Sequence, residues 1–276
     1  MVDAIAVIIS TYNNPSFLRL VLAAYAKQCD KRFSIYIADD GSNAETRDLI
    51  EHMSKGFPVE IHHIWHEDQG FRKARIHNLV LQQVKEAYVI LTDGDCIAPP
   101  HFIATHRRLA QESTLICGSR ILLSPSYTQH LCQSGNIPSF STFYCIKSRL
   151  QGHINRVFPL FLPAHLSAPK QKISGIHGCH ISCHTKDLLH INGFDESFEG
   201  WGREDSDLVA RLLHSGVQRR NLRGAPVLHL WHKENARNHL NDNDALLQAC
   251  IDDKRKQALI GIGELSNIED KSCPNL

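Results

Sequence analysis

Two carboxylates separated by one glycine, Asp93-Gly94-Asp95, close an apolar run, Tyr88-Val89-Ile90-Leu91-Thr92. The run is rich in β-branched residues and too short for a helix, so it reads as a buried strand. That puts both acids at the C-terminal end of a strand, where open α/β sheets take their ligands. Acids this close repel each other, and a divalent cation relieves the repulsion; hard oxygen ligands suit Mg2+ or Mn2+. Gly94 lets a ligand approach the backbone. Asp-Gly is also a common turn pair, so the weight of the motif depends on its company.

That company is chemical. Glu204-Asp205 follows Gly200-Trp201-Gly202-Arg203 and precedes a helical stripe. A carboxylate held at a helix start can take a proton from a hydroxyl within reach; capping of the helix by acids is the plainer alternative. Trp201 offers a flat apolar face to a sugar ring. Arg72, Lys73 and Arg75 lie where a loop opens a helix, a place that favours anions, although basic residues there can also form a solvated face. Two late histidines, His229 and His232, could complete a metal's coordination or sit as core or edge residues.

The elements that position these groups alternate. Residues 4–9, 33–38, 59–65 and 88–92 read as strands, with helices from Pro15 to about Tyr25, from Asn43 to about Met53 and from the 67–75 loop to about Lys85. A further helix runs from Pro99-Pro100 to about Glu112, and residues 115–120 form another strand. This β-helix-β rhythm predicts a parallel α/β sheet. Its loops Thr11-Tyr12-Asn13, Asp39-Asp40 and Asp93-Gly94-Asp95 would then share one edge. Residues 123–172 break the rhythm and read as an insertion, helical near 142–155. Pattern returns with a strand over 177–184, short helices at 187–191 and 208–214, a last strand over 226–232, and a helix from Asn241 to about Ile260. The tail after Gly261 reads as loosely held. Alternation over 177–184 would send Cys179 and Cys183 to one face and His180 and His184 to the other. The spacing is not that of a zinc knuckle or ribbon.

Composition narrows the classes. The chain has 276 residues, 42% hydrophobic, with a net charge of +1. Near-neutrality gives no bulk electrostatic case for nucleic acid. No apolar run is long enough to span a membrane, and Met1-Val2-Asp3 leads into a strand with no signal peptide. Nine scattered cysteines without an export signal read as reduced thiols of a cytoplasmic protein. The first strand is followed by neither G-x-G-x-x-G nor a Walker A lysine loop. A nucleoside diphosphate bridged by a metal on Asp93 and Asp95 is the remaining reading. Metal and basic side chains would stabilise it as a leaving group.

Taken in order, Ser10-Thr11-Tyr12-Asn13, Asp39-Asp40-Gly41-Ser42, Asp93-Gly94-Asp95 and Glu204-Asp205 resemble the motifs of family-2 glycosyltransferases of the GT-A fold. Asp68-Gln69-Gly70-Phe71-Arg72-Lys73-Ala74 resembles the transferase modules of chondroitin- and hyaluronan-type polymerases. Asn192-Gly193-Phe194-Asp195 with Gly200-Trp201-Gly202-Arg203-Glu204-Asp205 resembles both those modules and the β-1,4-galactosyltransferases. The resemblance spans residues 5 to about 235. It implies a Rossmann-like central sheet, mixed but mostly parallel, flanked by helices, with a C-terminal acceptor-side region.

The resemblance also implies roles. Thr11, Tyr12 and Asn13 would border the nucleobase, and Asp40 would bind uracil or ribose. Independently of the resemblance, the helix start at Arg72 and Arg75 would meet phosphate. Asp95 would be the principal metal ligand, with Asp93 and Gly94 nearer the ribose and donor sugar and Asp93 a further candidate ligand. His232 would add a ligand, with His229 the competing choice. Asp205 would be the base of inverting transfer, Glu204 beside it on the acceptor, and Trp201 would stack on or cap the acceptor. The expected domain covers 1–235: a nucleotide-sugar half to 122, a variable flap over 123–172, and an acceptor and catalytic half over 173–235. A helix and tail would fill 236–276.

The expected activity is metal-dependent transfer of a single sugar from a UDP-sugar to a glycan or glycolipid hydroxyl, in surface polysaccharide or lipopolysaccharide synthesis, with Mn2+ or Mg2+ as cofactor. The alternatives are a nucleotidyltransferase and a glycan-binding protein with a decayed site. Lys147, Arg149, Arg156, Lys170 and Lys172 beside Phe158 and Phe161 could touch the inner face of a membrane through 147–172. An ordinary surface excursion is the plainer reading of that segment.

Overall fold

The computed structural model describes residues 2–160, 162–163, 165–233 and 237–264. Phe161 and the tail from 265 onward, both part of expectations above, lie outside the described residues. Strands β1 (Ile5–Thr11), β2 (Phe33–Asp39), β3 (Ile61–Trp65) and β4 (Tyr88–Asp93) are linked by α1 (Pro15–Ala26), α2 (Ala44–Ser54) and α3 (Lys73–Leu81). Parallel neighbours need such crossovers. Asn14 caps α1 by accepting the Phe17 N–H at 3.3 Å, and Pro15 opens the helix. Alternation divides each strand between two cores: Ile5, Val7 and Ile9 enter one layer, Ala6 and Ile8 the other.

The chain continues through β5 (Cys96–Ile97), α4 (Phe102–Leu109), β6 (Thr114–Cys117), β7 (Arg120–Leu122), α5 (Pro125–Ser134), α6 (Thr142–Leu150) and β8 (Ser167–Pro169). It then forms β9 (Ile181–His184), α7 (Thr185–His190), α8 (Glu204–His214), β10 (Gln218–Leu222), β11 (Val227–His229) and α9 (Leu240–Asp252). The main sheet has the order β3-β2-β1-β4-β9-β6-β10-β8, in which β9 and β8 run against the other six strands. A second sheet, β5-β11-β7, stands apart from it. The sheet is therefore mixed and mostly parallel, in line with the sequence-based expectation.

Several elements differ from that expectation. The strand over 115–120 is two strands in two sheets, changing sheet at Gly118-Ser119, where the Gly118 N–H bonds the His180 carbonyl at 2.8 Å. The strand over 177–184 begins as a 3-10 turn, Gly178–His180. That turn shifts the phase of alternation, so Cys179 and Cys183 enter opposite core layers instead of sharing a face. The eight cysteines among the described residues are free thiols. The last helix ends at Asp252, short of Ile260, and α8 begins at Glu204 instead of Leu208. Strand β10 and helix α5 were not anticipated. Among the described residues no helix is long and apolar enough to cross a membrane.

The Asn192-Gly193-Phe194-Asp195 motif is scaffold. Asn192 and Gly193 hold positive φ (62° and 71°). Phe194 and Asp195 are fully buried. Buried Arg211 donates to the Ile191 and Gly193 carbonyls at 2.8 and 2.7 Å and to Asp207 at 2.7 Å. Arg255 pairs with both Asp207 and Asp195, at 3.2 and 3.3 Å. These ion pairs clamp the turn to α8, the helix that carries Glu204 and Asp205. Removing one partner of a buried pair strands the other. Arg211→Ala is therefore expected to cost about 3 to 5 kcal/mol, read as a lower urea midpoint in circular dichroism; an unchanged midpoint would contradict the clamp.

Candidate active site

The site lies at the carboxyl ends of β1, β2 and β4, where strand order reverses beside β1. Register places Ser10 opposite Asp93 and Thr11 opposite Asp39. Ser10 Oγ accordingly donates to Asp93 at 2.7 Å, and the Gly94 N–H bonds the Ser10 carbonyl at 2.7 Å. The Asp39-Asp40 turn folds onto the same edge. Asp39 is fully buried, accepts the Ser42 N–H at 2.8 Å and faces His63 at 2.8 Å. Asp40 accepts the Arg72 N–H at 2.9 Å and meets His66 at 2.7 Å. Asn13, at positive φ, accepts the Asn43 N–H at 2.8 Å, and the half-exposed Tyr12 donates to Asp68 at 2.9 Å. Thr11, Tyr12, Asn13, Asp40 and Arg72 thus gather around one turn.

A second cluster centres on Lys73. Its Nζ lies 3.0 Å from Asp93, 3.7 Å from Asp205 and 3.8 Å from Glu204. Burial would pull this ammonium down, but the three carboxylates outweigh it and hold it well above its ordinary value. Burial raises Asp93, and Lys73 with Ser10 overcomes it and brings the group down. Glu204 is pushed up by burial and by Asp205; Asp205 is pushed up by burial, with Lys73 opposing. Both acids stand in the first turn of α8, entered through Gly202 and a left-handed Arg203 (φ 80°), where the helix end favours negative charge. A Cβ at Gly178 would overlap the Asp205 carboxylate, so only glycine admits it there. Trp201 is part exposed, with the Arg237 guanidinium 5.2 Å from its ring centre.

The third cluster is Asp95, His229 and His232. The small sheet builds it: β11 pairs antiparallel with β5, setting His229 opposite Cys96, and the Leu230 N–H bonds the Asp95 carbonyl at 2.9 Å. Asp95 Oδ2 is 3.3 Å from His229 Nε2 and 3.0 Å from His232 Nε2. Cys96 Sγ donates to the other oxygen at 3.1 Å. Residues three apart on a strand face opposite ways, but the strand stops at His229 and the chain beyond it brings His232 back to Asp95. The potential ligand atoms of the three residues all lie within 4.8 Å of one another. One carboxylate and two imidazoles, that of His229 pushed down by burial, suit a first-row divalent ion such as Mn2+. The trio therefore fits a metal.

Not every candidate joins these clusters. Asp93 turns to Lys73 and Ser10 and is not part of the trio. Arg75 turns away to Glu196 at 3.2 Å, and Asn78 holds the same carboxylate at 3.0 Å. The side chain of Arg72 goes to the Glu67 carbonyl at 3.1 Å, leaving its backbone N–H for Asp40. Conversely, the sequence did not single out Lys73 from its two arginine neighbours, nor Gly178 at all. Buried Ile76, His77 and Val80 lie three, four and seven residues beyond Lys73 on the same side of α3, and that helical phase was the available signal for Lys73.

This order of strands, with carboxylates at the β4 edge, is that of the GT-A fold. S. aureus TarS 1-349 in complex with UDP superposes with a TM-score of 0.60 at 14% identity, covering 96% of this chain and 69% of that one. The mannosyltransferase PcManGT from Pyrobaculum calidifontis, in complex with GDP-Man and Mn2+, gives 0.57 at 12% identity, covering 99% and 76%. Residues 6–136 match glycosyl transferase family 2, and residues 160–233 match the N-terminal domain of galactosyltransferase. Both matches are to glycosyltransferase families, and neither spans half of the chain. Chondroitin synthase of Escherichia coli is 23% identical over 241 residues, 83% of this chain and 35% of that protein. The chain spans about a third to a half of the length of the leading curated relatives it matches.

One titration follows from the trio. The hydrogen bond to Asp95 lifts His232 to about 9, so without a metal this imidazole is protonated at neutral pH. A ligand histidine must lose that proton. Mn2+ binding is expected to release a proton below about pH 9, and its apparent affinity to rise with pH up to that value. Calorimetry in buffers of different ionisation enthalpy reads the proton count. His232→Ala should remove the release; release that survives the substitution would rule His232 out as the ligand.

Proposed function

We propose that the chain is an inverting, metal-dependent glycosyltransferase that moves one sugar per turnover from a UDP-sugar to a hydroxyl of a glycan or glycolipid acceptor. The observation that carries this reading is the Lys73 cluster, in which the helix-start carboxylates Glu204 and Asp205 meet the donor-side acid Asp93 around one ammonium. Asp40 and the Thr11-Tyr12-Asn13 turn hold the nucleoside. The UDP bound to TarS, a protein of the same fold, supports a uridine donor. Mn2+ or Mg2+ on Asp95, His229 and His232 would neutralise charge on the departing diphosphate. Mn2+ in PcManGT agrees with that choice.

Asp205 takes the proton from the acceptor hydroxyl, and that oxygen attacks the anomeric carbon as UDP leaves from the opposite side. Glu204 and Trp201 orient the acceptor. Lys73 favours the ionised form of Asp205 against burial and against Asp93. The 123–172 segment is an acceptor-side flap. Chondroitin synthase among the relatives supports an acceptor of the surface-polysaccharide or lipopolysaccharide kind, and the work of such an enzyme belongs on the cytoplasmic side of the membrane.

Asp205→Asn is expected to lower transfer about a thousandfold or more while the UDP dissociation constant stays within about twofold; near-normal turnover would refute the base. Gly178→Ala forces the Asp205 carboxylate aside and is expected to cost about a hundredfold in kcat, with UDP binding retained. Because burial raises the Glu204–Asp205 pair, the ionised base is lost as pH falls. The transfer rate should therefore climb with pH through the range where the pair gives up its proton, and a flat profile would contradict the assignment.

A further inference from the structure

Helix α6 leaves its apolar face in solvent. Phe143 and Leu150 are 79% and 83% exposed and Ile146 45%. Their spacing of three and four residues aligns them along one side of the helix. Cys145 and Ser148 are the buried positions. Phe158, beyond the helix, is 62% exposed. Basic residues flank this face: Lys147 and Arg149 on α6 and Arg156 after it, all exposed.

The charge of the surrounding chain is lopsided. From Ser113 to Lys186 the sequence has seven Lys or Arg and no Asp or Glu. The remainder carries the other 23 basic residues against all 29 acids, a net charge of −6 beside +7 for this segment. A near-neutral chain thus conceals one strongly cationic stretch, and its most exposed apolar side chains lie within it.

We propose that this face is a docking surface for an anionic membrane. Phe143, Ile146, Leu150 and Phe158 enter the boundary between headgroups and acyl chains, and Lys147, Arg149 and Arg156 meet anionic headgroups. An anionic polysaccharide would use the cations and leave the phenylalanines and leucine without a partner. A lipid surface uses both. The surface is coupled to the catalytic centre by backbone. Ser148 accepts the His153 N–H at 2.8 Å, and Asn155 exchanges bonds of 3.0 Å with Leu122 in both directions. Leu122 pairs in register with His229 of the metal trio. A membrane at α6 is therefore one strand away from His229, which suits an acceptor presented from a lipid. The surface itself does not depend on the transfer reaction.

The test is co-sedimentation of the full chain with vesicles of phosphatidylcholine, with and without phosphatidylglycerol, at low and high salt. The expected result is binding to the anionic vesicles only, weakened by salt. It should fall about tenfold or more in Phe143→Glu/Leu150→Glu and in Lys147→Glu/Arg149→Glu. Phe143→Gln/Leu150→Gln serves as a second, uncharged version, and thermal melting checks that each variant is folded. No vesicle binding by the native chain overturns the proposal. Loss with the charge reversals but not with either apolar pair would make this a polyanion site and also overturn it. Sedimentation velocity that finds a dimer abolished by Phe143→Gln/Leu150→Gln, without vesicle binding, would assign the face to a second copy instead.

Discussion

One buried ammonium among three carboxylates governs this molecule. Asp93 ends a strand of the main sheet, Glu204 and Asp205 begin a helix far along the chain, and Lys73 begins the helix between them. Unpaired buried carboxylates are costly, so the lysine sets how closely the two acidic elements can approach. Burial and the lysine together set which acids hold protons: Lys73 and Ser10 drive Asp93 toward ionisation, while burial outweighs Lys73 and drives the Glu204–Asp205 pair the other way. Acids with opposed environments can take opposed roles at one pH. The clamp of Arg211 and Arg255 on Asp207 and Asp195 serves the same end from behind, since it fixes α8 against the 192–195 turn.

The two sheets divide the work. The large sheet aligns the β1, β2 and β4 ends and gathers Thr11, Tyr12, Asn13, Asp40 and Arg72. The small sheet brings a distant strand onto the residue after Asp95, and so assembles a trio able to hold a metal from residues that the sequence separates widely. The change of sheet at Gly118-Ser119 makes both possible, because it lets one stretch of chain edge β9 and then support β11. The exposed face of α6 hangs from that same small sheet, so the surface that would meet lipid and the centre that would perform transfer share a support.

Much of this was legible in the residues. Period-two alternation in Ile5 to Ile9 and the helical stripe of α1 predict the elements that form, and the order of acidic loops predicts the sheet edge they share. What escaped is pairing. His229 and His232 were set as competing choices because the resemblance supplies one late histidine; the strand ends at His229, and no local signal marks that stop. Arg75 looked like a phosphate ligand, and only the tertiary fold shows Glu196 waiting for it. Strand β10, Gln218–Leu222, was missed because Gln-Arg-Arg-Asn carries no apolar alternation. Arg219 is in fact fully buried, its guanidinium bonded to the carbonyls of Lys172, Ser174 and Gly175. The phase break at the Gly178–His180 turn was invisible for a similar reason: it depends on the His180 ring packing over Gly118.

The most direct measurement is UDP release from a panel of UDP-sugars, with Mn2+, with Mg2+ and with chelator, for the native chain and for Asp95→Ala. Metal-dependent release from one sugar, slow without acceptor and lost both with chelator and in the variant, is the predicted result. Release that survives chelator and substitution alike, or a chain that binds neither UDP nor any UDP-sugar, would contradict a metal-assisted uridine-donor transferase.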